Sequence, residues 1–222
     1  RAALSLASAN FYGHPSERLK TVGVTGTKGK TTVTYILESI LKAAGGTVGV
    51  IGTIEYRYPG VRLEAGRTTP ESTELQSIKG MADAGVSHCL MEVSSHSLEQ
   101  KRVLGISYDV SVFTNLTGEH LDFHSTMETY FEAKKKLFFL NHKRNASVVN
   151  MDDPWGKKLI AELSLKTISF GFEPAAIVRA VKLMMTDKGM GFQVCFPGGT
   201  MDISTRLVGR HNVYNILAAV SA

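Results

Sequence analysis

Thr21-Val22-Gly23-Val24-Thr25-Gly26-Thr27-Lys28-Gly29-Lys30-Thr31-Thr32 runs from a β-rich stretch through two glycines into a helical one. A glycine turn between strand and helix suits phosphate, because glycine lets main-chain N–H groups turn inward and a helix N-terminus carries partial positive charge. On this reading the amides of Thr27 and Lys28, between Gly26 and Gly29, grip a triphosphate. Lys30 supplies a point charge, the Thr31 hydroxyl ligates Mg²⁺, and Thr32 follows in the first helical turn. Val24 stands where the strict GxxxxGK[ST] pattern has glycine, so the loop is a variant. The bland alternative is a chance glycine-rich turn.

Outward from this loop, short β-branched runs alternate with longer helical stretches, which predicts an α/β fold: a mostly parallel sheet flanked by helices. Strands are expected at 21–25, 47–54, 87–93, 108–114, 146–150 and 166–170, and helices at 30–44, 71–84, 127–140 and 154–163. Gly45-Gly46 ends the first helix and Pro154 opens the last. Residues 177–207 differ: Asp187-Lys188-Gly189 and Pro197-Gly198-Gly199 separate alternating runs, predicting a small antiparallel β subdomain near the C-terminus. The amphipathic segments at 1–11 and 212–222 read as cut, so a piece of a longer protein is expected.

The 222 residues are 43% hydrophobic and 20% charged, which suits a single domain over 1–222 with a substantial core. A net charge of +5 is mild, and the basic residues form no extended run interleaved with aromatic ones. That favours a solvated basic face that gathers anionic substrates over nucleic-acid binding. Cys89 and Cys195 lie in apolar runs and read as core residues, with no paired spacing for a metal. With no run of membrane-spanning length, a cytoplasmic enzyme without membrane insertion is expected.

Two further segments follow predicted strands, at the edge where open parallel sheets bind ligands. In Met91-Glu92-Val93-Ser94-Ser95-His96, Glu92 could hold Mg²⁺ and Ser94 could either contact a ligand or cap the next helix. In Thr117-Gly118-Glu119-His120-Leu121-Asp122-Phe123-His124, the alternating His120, Asp122 and His124 could converge on a metal or substrate. Lys134-Lys135-Lys136 on its own reads as a solvated basic turn.

Together these segments resemble the Mur ligases of bacterial cell-wall synthesis, and within them the branch that makes the tripeptide. The likeness rests on residues 26–32, Thr68-Thr69-Pro70, Glu92-Val93-Ser94-Ser95-His96, Asn115-Leu116-Thr117 with His120-Leu121-Asp122, Tyr130 to Lys134, and Gly209-Arg210-His211-Asn212-Val213-Tyr214-Asn215. It extends over most of the chain but only to the family's central, ATP-binding domain. The N-terminal uridine-binding and C-terminal amino-acid-binding domains of such an enzyme are expected elsewhere. Lys28 and Arg67 stand where the family usually carries Asn. Another Mur-type ligase, a folylpolyglutamate-type ligase and a non-ligase Mur-like nucleotide-binding subunit remain alternatives, although the last carries a four-cysteine zinc ribbon that two cysteines cannot build.

The resemblance implies that the carboxylate of UDP-N-acetylmuramoyl-dipeptide attacks the γ-phosphate of ATP, releasing ADP and giving an acyl phosphate, and that an amino acid's amine then attacks the acyl carbon and expels phosphate. Lys30, Glu92, His120 and Lys134 would be catalytic. Thr31 and Glu92 would hold one Mg²⁺; His120 would hold a second, supported by Lys134 after CO₂ converts its amine to a carbamate. Gly26 to Thr32, Asn115, His211, Asn212 and Asn215 would contact ATP. Arg67, Thr68, Thr69, Ser94, Gln100 and Arg102 would contact the muramoyl dipeptide. Asn212 could instead cap the final helix.

Overall fold

The computed structural model describes residues 1–140, 146–163 and 166–222. Helix α1 (Ala2–Phe11) leads through a short 3-10 turn into β1 (Lys20–Thr25), α2 (Lys30–Ala43), β2 (Val48–Ile51) and a hairpin of β3 (Glu55–Tyr58) and β4 (Val61–Glu64). Next come α3 (Ser77–Asp83), β5 (His88–Glu92), α4 (Ser95–Glu99), β6 (Val110–Phe113), α5 (Leu121–His124), α6 (Met127–Lys135), β7 (Ala146–Asn150), α7 (Pro154–Glu162) and β8 (Thr167–Gly171). Strands β9 (Val178–Thr186), β10 (Gly189–Phe196) and β11 (Gly199–Thr205) precede helix α8 (Arg210–Ser221).

The described strands form one 11-stranded sheet in the order β11-β10-β9-β8-β7-β6-β1-β5-β2-β3-β4. Pairing is parallel from β2 to β9 across the middle and antiparallel at both ends. Side chains alternate across this sheet, so two cores form. Val22, Val24, Leu90, Val112 and Val148 meet α2 and α8 on one face, while Met91, Phe113 and Val149 meet α6 and its continuation on the other. Burial of each such side chain contributes about 1.5–3 kcal/mol, and covering both faces explains the nearly unbroken apolar runs of the central strands.

Local signals account for the helix ends. Gly45 adopts φ 84° after α2, and the Gly46 amide reaches back to the Leu41 carbonyl, closing the helix end. Asp153 caps α7, its carboxylate accepting from the Trp155 and Gly156 amides ahead of Pro154. Two expectations change. The strand expected over 47–54 stops at Ile51, and the chain re-enters the sheet as the β3–β4 hairpin; the 71–84 helix shortens to Ser77–Asp83 after a 3-10 turn. The antiparallel segment expected near the C-terminus is present as β9, β10 and β11, joined to the main sheet by the parallel β8–β9 pair.

The hairpin is fastened to α2 by an ion pair. The Arg57 guanidinium donates to Glu38, lies 3.2 Å from Glu55 and stacks 4.4 Å from the Tyr35 ring centroid. Burial alone would raise the Glu38 carboxyl pKa, but hydrogen bonds from Arg57 and Lys42 outweigh it and hold the group below its ordinary 4.5. Its stabilising contribution is therefore complete above about pH 4.5 and lost as pH falls through the lower folded value. Replacing Arg57 with Met should cost roughly 3 kcal/mol at pH 7, since it leaves Glu38 with Lys42 alone. In urea unfolding, the gap between variant and parent should narrow below about pH 4.5.

Candidate nucleotide site

After β1 the chain crosses to β2 and β5 on one side and later to β6 on the other, so β1 is a switch point flanked in parallel by β5 and β6. The loops leaving the C-terminal ends of these three strands meet there, as expected for a ligand site in an open parallel sheet. Residues 26–32, the turn at 92–95 and the loop at 114–120 are thereby brought together.

The phosphate loop is fixed by Asn115. The Thr27 amide donates to the Asn115 carbonyl (2.9 Å) and the Lys28 amide to Asn115 Oδ1 (3.0 Å), while Asn115 Nδ2 donates to the Lys28 carbonyl (3.1 Å). Two amides expected to face phosphate thus have partners within the protein. The first turn of α2 offers the amides of Lys30, Thr31 and Thr32, which, as at any helix start, have no intrahelical acceptor. Lys30 Nζ donates to the Gly26 and Thr27 carbonyls, each at 3.0 Å, and burial lowers its pKa. Thr27 is buried, its hydroxyl accepting from the Thr117 amide (3.0 Å). Lys28 is exposed and pairs with Glu119 at 2.8 Å, and its hydrogen bond is the main cause of the depressed Glu119 pKa.

Gly29 begins α2 at φ 89°, and a Cβ there would stand 2.3 Å from Asn215 Oδ1. Both conditions demand glycine. Gly29→Ala should lower stability by about 1–3 kcal/mol and displace Asn215, weakening binding of a non-hydrolysable ATP analogue. Thermal melting with and without the analogue measures both effects.

The Thr31 hydroxyl donates to Glu92 Oε2 at 2.9 Å, so the phosphate loop and the end of β5 already touch through two oxygen ligands. Mg²⁺ suits such a pair, because it binds through one or two carboxylates and keeps phosphate oxygens and waters for the rest. No cluster of three His, Cys, Asp or Glu able to hold a metal occurs among the described residues. His120, Asp122 and His124 do not converge. His124 is buried, its Nε2 lies 2.9 Å from Ser95 Oγ, and burial, then His96 and Lys134, push it down to about 4. His120 is exposed at the start of α5, with its ring centroid 4.9 Å from that of His96.

Lys134 is not part of a solvated turn: it is 1% exposed. Its Nζ donates to the Gly26 carbonyl at 2.8 Å and lies 4.5 Å from the Tyr130 ring centroid. Burial, then the Lys30 charge, push its pKa well below the ordinary lysine value. Tyr130 also stands 6.3 Å, centroid to centroid, from His120, so one ring borders both residues.

The residues expected on the acyl-substrate side also gather. Thr69 Oγ1 donates to the Glu92 carbonyl (2.8 Å) and accepts from the Ser94 amide (3.0 Å). Ser94 caps α4, accepting from the Ser97 amide at 3.2 Å, so the capping alternative is realised. Arg102 is buried and donates to the Thr69 carbonyl (2.8 Å) and twice to Gln100 Oε1 (2.9 and 2.7 Å). It braces this loop rather than projecting from it. Arg67 is exposed and pairs with Glu71.

A cavity of about 430 Å³ adjoins the loop, lined by Lys28, Gly29, Asn115, His211 and Asn215 together with Asn150, Asp152, Asp153, Pro154 and Tyr214. The last five were not foreseen, although the C-terminal end of a parallel strand at Asn150 was the available signal. The N-cap of α8 is Gly209; Asn212 lies inside the first turn, donating to the Val208 carbonyl (2.8 Å) and accepting from Asn215 Nδ2 (3.1 Å).

A phosphate loop at the switch point of a parallel sheet defines a nucleotide-binding α/β protein, and the likeness to one such group runs the length of the chain, with the Mur ligase middle domain pattern matching residues 24–222. The chain belongs to the Mur ligase family. UDP-N-acetylmuramoyl-L-alanyl-D-glutamate--2,6-diaminopimelate ligase of Geobacter metallireducens is 46% identical over 229 residues, covering 100% of this chain and 45% of that protein. The ligase of the same name from Geobacillus thermodenitrificans is 45% identical, covering 100% and 47%. A solved structure of a ligase of that name superposes with TM-score 0.88 at 26% identity, over 99% of this chain and 47% of that one. A folylpolyglutamate synthase of Mycobacterium tuberculosis shares the fold at TM-score 0.76 and 15% identity, over 99% and 57%. The chain thus spans less than half the length of these curated relatives.

Proposed function

We propose that the chain is the central, ATP-handling domain of a ligase that activates the carboxylate of UDP-N-acetylmuramoyl-dipeptide as an acyl phosphate, for addition of the third peptide residue in peptidoglycan synthesis. The observation that carries this is the 2.9 Å contact between Thr31 and Glu92 beside Lys30, where a nucleotide loop meets a carboxylate at the sheet edge. Attack of a carboxylate on a triphosphate brings two anions together, and the Lys30 ammonium offsets that repulsion. Thr31 and Glu92 would hold one Mg²⁺ and His120 a second; bound Mg²⁺ supplies further charge neutralisation.

Lys134 would support the second ion as a carbamate. Only a neutral amine adds to CO₂, and the burial of Lys134 favours that form. The first-turn amides of α2 would bind the phosphates, while His211 and Asn215 line the cavity side suited to the adenosine and Asn212, which accepts from Asn215 Nδ2, would act beside them. Asn115 shapes the loop and lines that cavity. Thr68, Thr69, Ser94, Gln100, Arg102 and Arg67 would face the dipeptide. The relatives' names make 2,6-diaminopimelate the expected incoming amino acid. Uridine- and amino-acid-binding domains would come from the rest of the enzyme. No described helix is long and apolar enough to cross a membrane, and the proposed substrates are those of the cytoplasm.

The test is thermal melting of the chain with Mg²⁺ and a non-hydrolysable ATP analogue, with UDP-N-acetylmuramoyl-dipeptide or a folate added. A rise with the analogue and a further rise with the muramoyl dipeptide support the proposal. A further rise with the folate alone would replace it with a folylpolyglutamate-type reading.

A further inference from the structure

Glu92 is gripped by a residue outside every motif quoted above. The Thr53 amide donates to Glu92 Oε1 at 3.0 Å, and the Thr53 hydroxyl lies 3.0 Å from Oε2. With the Thr31 bond, the carboxylate has three donors. The approach is close: a Cβ on Gly52 would stand 2.3 Å from Glu92 Oε1, so the turn at 52–53 can fold over the carboxylate only because glycine precedes Thr53. The Thr53 hydroxyl also lies 3.0 Å from the Thr68 hydroxyl. It has one proton, and the charged, acceptor-only carboxylate is its stronger partner, leaving Thr53 to accept from Thr68.

We propose that Thr53 is a positioning residue for the metal-holding carboxylate: it fixes the rotation of Glu92 toward the Thr31 hydroxyl and links that carboxylate to Thr68. The inference rests on the reading that Thr31 and Glu92 hold Mg²⁺. Neither glutamate oxygen can turn away without breaking a bond to residue 53, so the carboxylate is aimed before any ion arrives. Partners of this kind behind a metal ligand typically set affinity by 10- to 100-fold.

Thr53 is exposed, so Thr53→Val should fold; it keeps the shape and the backbone amide and deletes only the hydroxyl. Mn²⁺ serves as the probe, its binding followed by electron paramagnetic resonance on the chain saturated with a non-hydrolysable ATP analogue. Thr53→Val should weaken Mn²⁺ binding about tenfold, and Thr53→Ser, which retains the hydroxyl, should restore it to near the parent value. Glu92→Gln is the reference. If Glu92→Gln weakens Mn²⁺ binding while Thr53→Val does not, or if Ser is as weak as Val, the role of Thr53 is overturned. If Glu92→Gln leaves Mn²⁺ binding unchanged, the metal reading falls, and this proposal with it.

Discussion

Lys30→Ala should abolish the rise in melting temperature that Mg²⁺ and a non-hydrolysable ATP analogue give the parent. With ligand at a hundred times its dissociation constant, that rise corresponds to about 2.7 kcal/mol, all of it lost if binding fails. Two effects combine. The alanine removes the ammonium that offsets the polyphosphate charge, and it releases the Gly26 and Thr27 carbonyls that Lys30 Nζ holds at 3.0 Å. Lys30→Arg should not rescue, because a planar guanidinium cannot reproduce a compact ammonium between two loop carbonyls. A full melting shift in the alanine variant would move the triphosphate away from this loop.

The second large effect belongs to Lys134. Lys134→Ala empties a site that is 1% exposed and should cost about 2–5 kcal/mol, chiefly as a cavity, since the Gly26 carbonyl retains the bond from Lys30. For a chain of this size each kcal/mol moves the melting point about 2–4 °C, so a fall on the order of 10 °C is expected. Lys134→Met fills the same volume without an amine and should melt close to the parent. The proposed carbamate separates the variants from the parent: in ¹³C-bicarbonate the parent should show a carbamate resonance that both lack. If the Met variant shows it equally, another amine is the acceptor.

The alternation of β-branched and helical runs made the parallel sheet legible, because strands buried on both faces need unbroken apolar stretches such as Val110–Phe113. The phosphate loop was legible for a local reason: Gly29 is required where α2 begins at positive φ. The β3–β4 hairpin was missed, although Pro59-Gly60 between Tyr56, Tyr58 and Val61 is a turn signal. Its stabilising partner, Glu38, is a helical residue nineteen positions earlier, and no short window pairs the two. Lys134 shows the same limit. A triple lysine reads as solvated, and only the tertiary packing of α6 under Gly26 buries one of the three. Asn115 was expected to contact nucleotide, and its bracketing of the Lys28 peptide depends on the parallel register of β1 and β6.

The seam between β8 and β9 is two residue pairs wide, Phe170 with Val178 and Gly171 with Arg179. The ribbon beyond it is held less by that seam than by its inner face: Val178, Ala180, Met190, Phe192 and Val194 share a buried core with Val213 and Ile216 of α8, the helix that carries Asn215 against Gly29. Anything that loosens this shared core therefore loosens the floor of the cavity beside the phosphate loop as well.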